Sequence, residues 1–302
     1  MNSFKKGIFT AILAAMLYAL NAPFSKLLLD YIPSTLLAGL LYLGAGLGMG
    51  AVASVRALTH KGGRKEASLT KSDLPYTLAM ILLDIAAPIC LMAGLNKTAA
   101  ANASLLNNFE IPATALIALM LFGERVSPRL WLGIICVTLS CAVLSFEDMS
   151  SLSFSSGSLL VMLASACWGL ENNCTRRLSQ KDPLQIVLLK GIFSGGGALL
   201  IGLILGEKLS LSWAILGALA VGLVAYGLSI YFYVYAQRVL GAARTGAYYA
   251  AAPFISAALS LVIFKQAPSL QYLAALAIMM AGAFLSSGDT PLKQLFPRKK
   301  RG

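Results

Sequence analysis

The stretch that decides the fold occurs twice in this chain. Residues 95–124 read LNKTAAANASLLNNFEIPATALIALMLFGE, and residues 236–265 read AQRVLGAARTGAYYAAAPFISAALSLVIFK. At an offset of 141 residues, similar side chains align: Lys97 with Arg238, Ser104 with Thr245, Pro112 with Pro253, and, just downstream, Trp131 with Tyr272. Self-similarity at a fixed offset indicates an internal repeat.

The repeat extends towards the start of the chain at a slightly different offset. At 150 residues, the matched pairs are Tyr18 and Trp168, Ser25 and Thr175, Lys26 and Arg176, and Pro33 and Pro183. The two offsets differ because the segment between the second and third apolar runs is longer in the first half than in the second. We therefore predict two related halves, 1–150 and 151–290, followed by a basic tail, 291–302.

The composition excludes an ordinary soluble enzyme. Hydrophobic residues make up 58% of the 302 residues and charged residues only 12%, whereas soluble domains are about 45–50% apolar. A membrane helix needs about 20 apolar residues. Breaks at charges, Pro and Gly predict ten such spans, near 7–29, 34–55, 74–95, 99–121, 129–146, 157–178, 183–205, 213–236, 243–264 and 269–287.

These spans predict an all-α polytopic membrane protein. The runs are uniformly apolar and lack the alternation of a β-barrel, so helices must satisfy their backbone groups in lipid. Five spans in each half is an odd number, so the two halves cross the membrane in opposite senses. Such inverted repeats are typical of secondary transporters, with a solute site near the midplane that opens alternately to each side.

Basic residues predict the orientation, because Lys and Arg accumulate in cytoplasmic loops. Most of the 24 basic residues fall on one side, together with both termini. The exceptions are Lys26, Lys97, Lys208 and Lys265 on the opposite side and Lys190 inside span seven. We therefore expect cytoplasmic termini in the cytoplasmic membrane. This bias explains the net charge of +12 without a nucleic-acid partner and places the basic tail near anionic lipid headgroups.

The two quoted segments resemble the signature of the drug/metabolite transporter superfamily and its EamA-type ten-helix members, over about residues 7–287. The first segment resembles that signature up to its closing acid, Glu124. The second departs from it, because Lys265 stands where the acid is usual. The resemblance implies a single-polypeptide carrier, in a family with many exporters of amino acids, other metabolites or toxic compounds.

Neither a metal centre nor a cofactor is expected. The five cysteines lie in apolar runs without a CxxC pair, and His60 is the single histidine, so the residues for a zinc site are lacking. Neither a nucleotide-binding loop nor a catalytic pair such as HExxH occurs. We therefore predict a protein that is not an enzyme and that draws on an ion or solute gradient.

Four ionisable residues lie deepest in the predicted spans: Asp84, Glu110, Glu171 and Lys190. A charge at the bilayer centre costs at least about 2.5–3.5 kcal/mol, so each should face a partner or a wet cavity. Three acids against one base suit an amine-bearing cation, a zwitterion or exchanged protons. The alternative is structural, with Glu171 and Lys190 forming an ion pair that only ties spans six and seven together.

Glu110 is the strongest candidate for substrate binding or proton coupling. It shares a helical stripe with Asn107, and Pro112 frees a backbone carbonyl close to its carboxylate. A protonated Glu110 that ties span four to a neighbour is the structural alternative. Asp84 precedes Pro88 by four residues, so the carbonyl freed there is its own. We expect helix breaks at both prolines.

Aromatic and amide side chains complete the predicted site. Glu171 shares a face with Trp168, and the repeat places Asn21 and Tyr18 opposite them. Tyr226 on span eight and Tyr248 on span nine are predicted to continue an aromatic wall that could face a cation.

Two further residues of span nine follow from the same pattern. Pro253 matches Pro112 and predicts a break there. Arg244 lies at a cytoplasmic helix end, on the face of Tyr248, and is expected to snorkel, with pairing to a carboxylate as the alternative.

Together these features predict an alternating-access carrier with a cavity lined by spans one, three, four, six, eight and nine. Its substrates would be small polar organic solutes, such as amino acids or related metabolites, exported in a proton-linked reaction. A carrier of organic cations, quaternary amines or amphipathic drugs is the alternative, and a channel or a scaffold subunit is a weaker one. The expected partners are this small-molecule substrate and membrane lipids, with a homodimer left open.

Overall fold

The computed structural model describes residues 3–59, 67–123, 127–148, 153–178, 181–210, 212–240, 245 and 248–287. Several predictions of the preceding section lie outside these ranges, namely those on His60, Glu124, Arg244, the boundary between 150 and 151, and the tail 291–302.

The described first half contains seven α-helices: α1 Ser3–Tyr18, α2 Asn21–Leu28, α3 Ser34–Thr59, α4 Leu74–Lys97, α5 Ala100–Leu106, α6 Glu110–Phe122 and α7 Pro128–Ser145. The described second half contains seven more: α8 Ser156–Leu178, α9 Pro183–Leu189, α10 Gly195–Ile204, α11 Trp213–Val221, α12 Ser229–Leu240, α13 Ala252–Ile263 and α14 Leu270–Ser287. Apart from one short pair of strands, the regular structure of the described ranges is helical, as predicted.

One element between the halves was not predicted. Strands β1 Phe146–Asp148 and β2 Ser153–Phe154 form a short antiparallel ladder between α7 and α8. It is too short to show the alternating pattern by which a strand is recognised in a sequence.

Seven of the described helical stretches are long and apolar enough to cross a membrane: Phe4–Leu28, Ser34–Val55, Lys71–Lys97, Ala100–Leu121, Pro128–Ser145, Pro183–Ile204 and Trp213–Ala236. Ala252–Ile263 and Leu270–Ser286 are apolar but shorter. These stretches correspond to seven of the ten predicted spans, and α8, α13 and α14 lie within the other three. Large apolar side chains cover the outside of the bundle, as lipid requires: Leu82, Met120, Leu216, Val262 and Phe284 are 65–79% exposed.

The helices pack in a pattern that repeats between the two halves. Helix α4 packs on α8, and the corresponding second-half contact is α12 on α1. Helix α6 packs on α8, and α13 contacts α1 in the same way. Three further interfaces pair corresponding helices directly: α3 with α9 and α10, α5 with α13, and α7 with α14. Helix α3 also packs on α4, on α11 and on the turn at Gly222–Leu228. Several of the large contacts therefore have a counterpart in the other half of the chain.

Glycines allow the closest of these contacts. A Cβ added at Gly191 would overlap the backbone of Gly46, and one added at Gly222 would overlap the carbonyl group of Leu41. Helix α3 thus lies directly against the backbones of the spans that carry Lys190 and Tyr226. Small residues at helix contacts are a common device of membrane bundles.

The helices are irregular at four places. A turn at Ala19–Leu20 separates α1 from α2, and a 3₁₀ turn at Asn107–Phe109 separates α5 from α6. Two π-helical turns, Lys190–Ser194 and Gly222–Leu228, interrupt the seventh and eighth predicted spans. π-Helical turns are rare in proteins, and those that do occur are often found at functional sites.

The prolines behave differently from one another. Pro112 lies in the first turn of α6 and Pro253 in the first turn of α13, where the absent N–H groups need no helical partner. The predicted break at Pro88 is wrong, because α4 continues through it to Lys97. Buried Ala87 and Leu91 on either side pack α4 against its neighbours, which holds the helix together.

Candidate functional site

Three ionisable side chains meet inside the bundle and form what we call the ion triad: Asp84, Glu171 and Lys190. The Lys190 Nζ atom lies 2.6 Å from Glu171 Oε1 and 3.1 Å from Asp84 Oδ2. The three residues are 1%, 4% and 6% exposed. The triad joins helices α4 and α8 to the π-helical turn that begins at Lys190.

Hydroxyl groups complete the polar partners of the triad. The Tyr42 hydroxyl donates to Asp84 Oδ1 at 2.9 Å, and the Thr175 hydroxyl donates to Glu171 one turn further along α8. Both carboxylates are therefore hydrogen-bonded as well as paired with the lysine. When all three groups are ionised, two carboxylates against one ammonium leave one excess negative charge in a buried place.

Glu110 lies beside the triad with a different set of partners. The Asn172 amide donates to Glu110 Oε1 at 2.5 Å, and it lies 3.5 Å from the Thr114 hydroxyl. Asn173 ties the same two helices together by donating to the carbonyl groups of Thr114 and Gly169. Within the described residues, Glu110 makes no salt bridge, so its carboxyl group is held by an amide rather than by a cation.

Tyrosine rings form a wall next to these acids. Tyr226 packs on Tyr42 with ring centroids 4.9 Å apart, and it meets Tyr18 at 6.0 Å with the rings nearly perpendicular. Tyr249 then packs on Tyr18 at 5.6 Å and on Tyr233 at 4.7 Å. The wall therefore draws rings from helices in both halves of the chain.

An amide side chain and an indole side chain lie next to this wall. Asn21, at the start of α2, donates to the Tyr226 hydroxyl at 2.9 Å, and its own carbonyl group accepts from Ser25. Trp168 is 7% exposed and belongs to the same buried cluster as Tyr42 and Tyr226. Tyr18 and Asn21 therefore lie against Tyr226, whose ring packs on Tyr42, the hydrogen-bond donor to Asp84.

Two predicted residues lie elsewhere. The placement of Tyr248 beside Tyr226 is wrong, because Tyr248 packs against the cluster of Ala11, Ala236 and Leu240. Its neighbour Tyr249 takes the position in the wall, since one residue along a helix turns a side chain by about 100°.

Asn107 also differs from the expected stripe with Glu110. It is 7% exposed, and no hydrogen bond joins it to the acids in the described structure. The 3₁₀ turn at Asn107–Phe109 changes the helical phase between the two residues.

Three contact residues were missed: Tyr42, Asn172 and Tyr249. Asn172 was signalled by its position next to Glu171, since adjacent polar residues are unusual in a membrane span. Tyr42 was signalled by its place in the middle of span two, away from the ends where tyrosines serve as interfacial anchors. Among the described residues, no group of three His, Cys, Asp or Glu side chains could hold a metal ion.

The arrangement can act chemically in two ways. The excess negative charge and the amide-bound Glu110 can hold an ammonium group or protons, while the tyrosine faces can contact an apolar or cationic body. The ion pair between Glu171 and Lys190 is present as the structural alternative requires. It ties the sixth and seventh predicted spans together, and Asp84 extends it to the third.

Membrane-length helices packed around a buried polar cluster define a polytopic membrane protein of the transporter class. The family model described as EamA-like transporter family matches residues 5–146 and again residues 155–288. The chain belongs to the EamA-like transporter family.

Individual relatives agree with this assignment. An uncharacterized transporter of Methanothermobacter thermautotrophicus is 27% identical over 294 residues, covering 92% of this chain and 85% of the relative. The uncharacterized transporter YyaM of Bacillus subtilis is 22% identical over 250 residues, covering 80% and 82%. A solved crystal structure shares the fold with a TM-score of 0.63 at 19% identity, covering 93% of this chain and 97% of that one.

Proposed function

We propose that this protein is a secondary active transporter that moves small polar organic solutes across the cytoplasmic membrane by alternating access. Amino acids or related metabolites are the substrates, export is the direction, and protons are the coupling ion. The observation that carries the proposal is the cluster of Asp84, Glu110, Glu171 and Lys190 inside the helical bundle.

The position of the cluster supports alternating access. Asp84 and Glu110 come from the first half of the chain, and Glu171 and Lys190 come from the second. A rocking motion of one half against the other would therefore change the contacts at the cluster itself. The helix irregularities at Glu110 and Lys190 support the same view, because broken helices at the bilayer midplane form the binding sites of many secondary transporters.

The chemistry of the cluster supports an amine-bearing substrate. A zwitterionic solute could place its ammonium group near Glu110 and Glu171 and its carboxylate near Lys190. This arrangement uses both signs of charge that the cluster contains. A proton could take the place of the ammonium group after release, which would link substrate movement to a pH gradient.

A carrier of organic cations or amphipathic drugs is the second candidate. The tyrosine wall of Tyr18, Tyr42, Tyr226 and Tyr249 favours it, because aromatic faces next to acids attract quaternary amines. The two candidates differ in whether the ligand needs a carboxylate.

The membrane topology is part of the proposal. Ten spans in two inverted halves would leave both termini in the cytoplasm, as the distribution of basic residues favours. Lys97 and Lys208 would then face the opposite side.

Thermal unfolding of the detergent-purified protein tests the substrate class. Amino acids, nucleobases, polyamines and quaternary amines are added in turn, each at an acidic and at a slightly alkaline pH. A ligand at 100 times its Kd stabilises the folded state by about 2.7 kcal/mol, so we expect a saturable rise of Tm with a zwitterionic amine. The rise should differ between the two pH values in the natural protein and lose this difference in Glu110→Gln.

Other outcomes decide between the candidates. A rise with quaternary amines alone would replace the first candidate by the second. No response to any of the four classes would contradict both. A ligand that does bind should also show counterflow exchange in vesicles, which a channel would not support.

A further inference from the structure

A second polar pocket lies at the end of the bundle where the third and fourth predicted spans meet. We call it the hairpin pocket, because Phe146 of β1 is part of its wall. Lys97, Asn102, Ser158 and Tyr272 also line it. Its volume is about 340 Å³, which lies within the range of about 300–1,000 Å³ that small-molecule sites occupy. None of its lining residues belongs to the ion triad or the tyrosine wall.

Two buried hydroxyl groups in this pocket have no hydrogen-bond partner among the described residues. Ser158 is fully buried, and Tyr272 is 5% exposed, yet neither hydroxyl makes a hydrogen bond there. An unsatisfied buried polar group costs about 1–3 kcal/mol. Two such groups in the wall of one pocket point to a ligand that supplies the missing partner.

The electrostatics of the pocket favour an anion. Lys97 is the only charged residue in its described lining, at the exposed end of α4. The N-termini of α8 and α14 also meet there, since Ser155 accepts from the Ser158 amide and Ser269 accepts from the Tyr272 amide. Helix N-termini carry partial positive charge and attract anions. A lysine, two helix N-termini and two free hydroxyls form a set of donors suited to acceptor oxygens.

We propose that the hairpin pocket binds a small anion with several acceptor oxygens, a carboxylate or a phosphate group. The Lys97 ammonium supplies the counter-charge, and the Tyr272 and Ser158 hydroxyls donate to the oxygens. The group comes from a free organic anion or from a lipid headgroup, both of which offer the same oxygens. The site is separate from the proposed transport site and does not depend on transport.

Ligand-dependent Tm of the purified full chain tests this site. Succinate, inorganic phosphate and a short-chain phosphatidylglycerol are the probes, with sodium chloride at equal ionic strength as the control. We expect a saturable rise of Tm with at least one probe and none with sodium chloride. Lys97→Gln should raise the half-saturating concentration at least about 10-fold, because a hydrogen bond to a charged group is lost. Lys208→Gln removes another exposed lysine outside the pocket and should leave the response unchanged.

Tyr272→Phe separates ligand binding from a purely structural role. Without a probe, this variant should be as stable as the natural protein or more stable, because the lost hydroxyl has no partner. With the probe, its half-saturating concentration should rise about 2- to 10-fold. A response to succinate or phosphate assigns the site to a free solute, and a response to the phospholipid alone assigns it to a headgroup. No saturable response to any probe, or an equal response in Lys97→Gln, would overturn the proposal.

Discussion

Replacing Lys190 with Met should lower the free energy of unfolding by about 3–5 kcal/mol, the cost of removing one partner from a buried ion pair. The methionine leaves Asp84 and Glu171 buried without a cation, at 1% and 4% exposure. The Tyr42 and Thr175 hydroxyls remain, but they cannot balance two carboxylates. Thermal or denaturant unfolding in detergent micelles measures the loss.

Two further variants show whether charge is the cause. Lys208→Met removes an exposed lysine and should change the free energy of unfolding by less than about 0.5 kcal/mol. Lys190→Met combined with Asp84→Asn and Glu171→Gln removes all three charges, and we expect it to recover most of the lost stability, because apolar or neutral replacement of a whole buried pair is often close to neutral. If the protein with Lys190→Met alone were as stable as the natural protein, this would show that the triad is not formed.

Replacing Glu110 with Gln should reduce transport in vesicles to the background of protein-free vesicles, or separate it from the pH gradient, while the protein remains folded. The glutamine carbonyl can still accept the Asn172 bond that Glu110 Oε1 accepts at 2.5 Å, so the contact between α6 and α8 should persist. The amide cannot take up or release a proton near neutral pH. The measurement is flux of the ligand found by thermal unfolding, under an imposed pH gradient.

A matched acid outside the cluster serves as the control for this variant. Asp30 is exposed near the end of α2, so Asp30→Asn removes one carboxylate and should leave flux unchanged. Unfolding curves of both variants should overlay that of the natural protein. Normal gradient-driven transport by Glu110→Gln would show that the carboxyl group has neither the binding nor the coupling role.

Much of the architecture follows from the apolar runs. The runs are long, and lipid leaves helices as the only way to satisfy their backbone, so seven of the predicted spans match membrane-length helices. Two of the other predicted spans do not meet the length and hydropathy of a membrane helix for local reasons. Helix α8 carries Glu171 and neighbouring asparagines, while part of the ninth predicted span lies outside the described residues.

The meeting of Asp84, Glu171 and Lys190 was foreseen only in part. The cost of a buried charge predicts that each seeks a partner, and the Glu171–Lys190 pair was one such expectation. Which three residues meet depends on helix packing, because the close approach of α3 at Gly46 and Gly191 sets the position of Lys190. A single sequence does not contain that distance.

One error arises where a helix departs from 3.6 residues per turn. The stripe of Asn107 and Glu110 assumes one continuous helix, but a 3₁₀ turn lies between α5 and α6. Tyr249 rather than Tyr248 meets the wall, because the rotation of the ninth predicted span about its axis is set by packing. Neither a local 3₁₀ turn nor such a rotation can be predicted from periodicity alone.

Access of water to Glu110 from both sides of the membrane is the central claim, and a cysteine at its hydrogen-bond partner tests it most directly. Asn172→Cys is placed in a chain whose five cysteines have been replaced, and a membrane-impermeant thiol reagent is applied to right-side-out and to inside-out membrane vesicles. Lys208→Cys in the same background is the control and should react from the outer face alone. We predict that the cysteine at 172 reacts in both kinds of vesicle, whereas reaction from one side only, or from neither, would contradict alternating access.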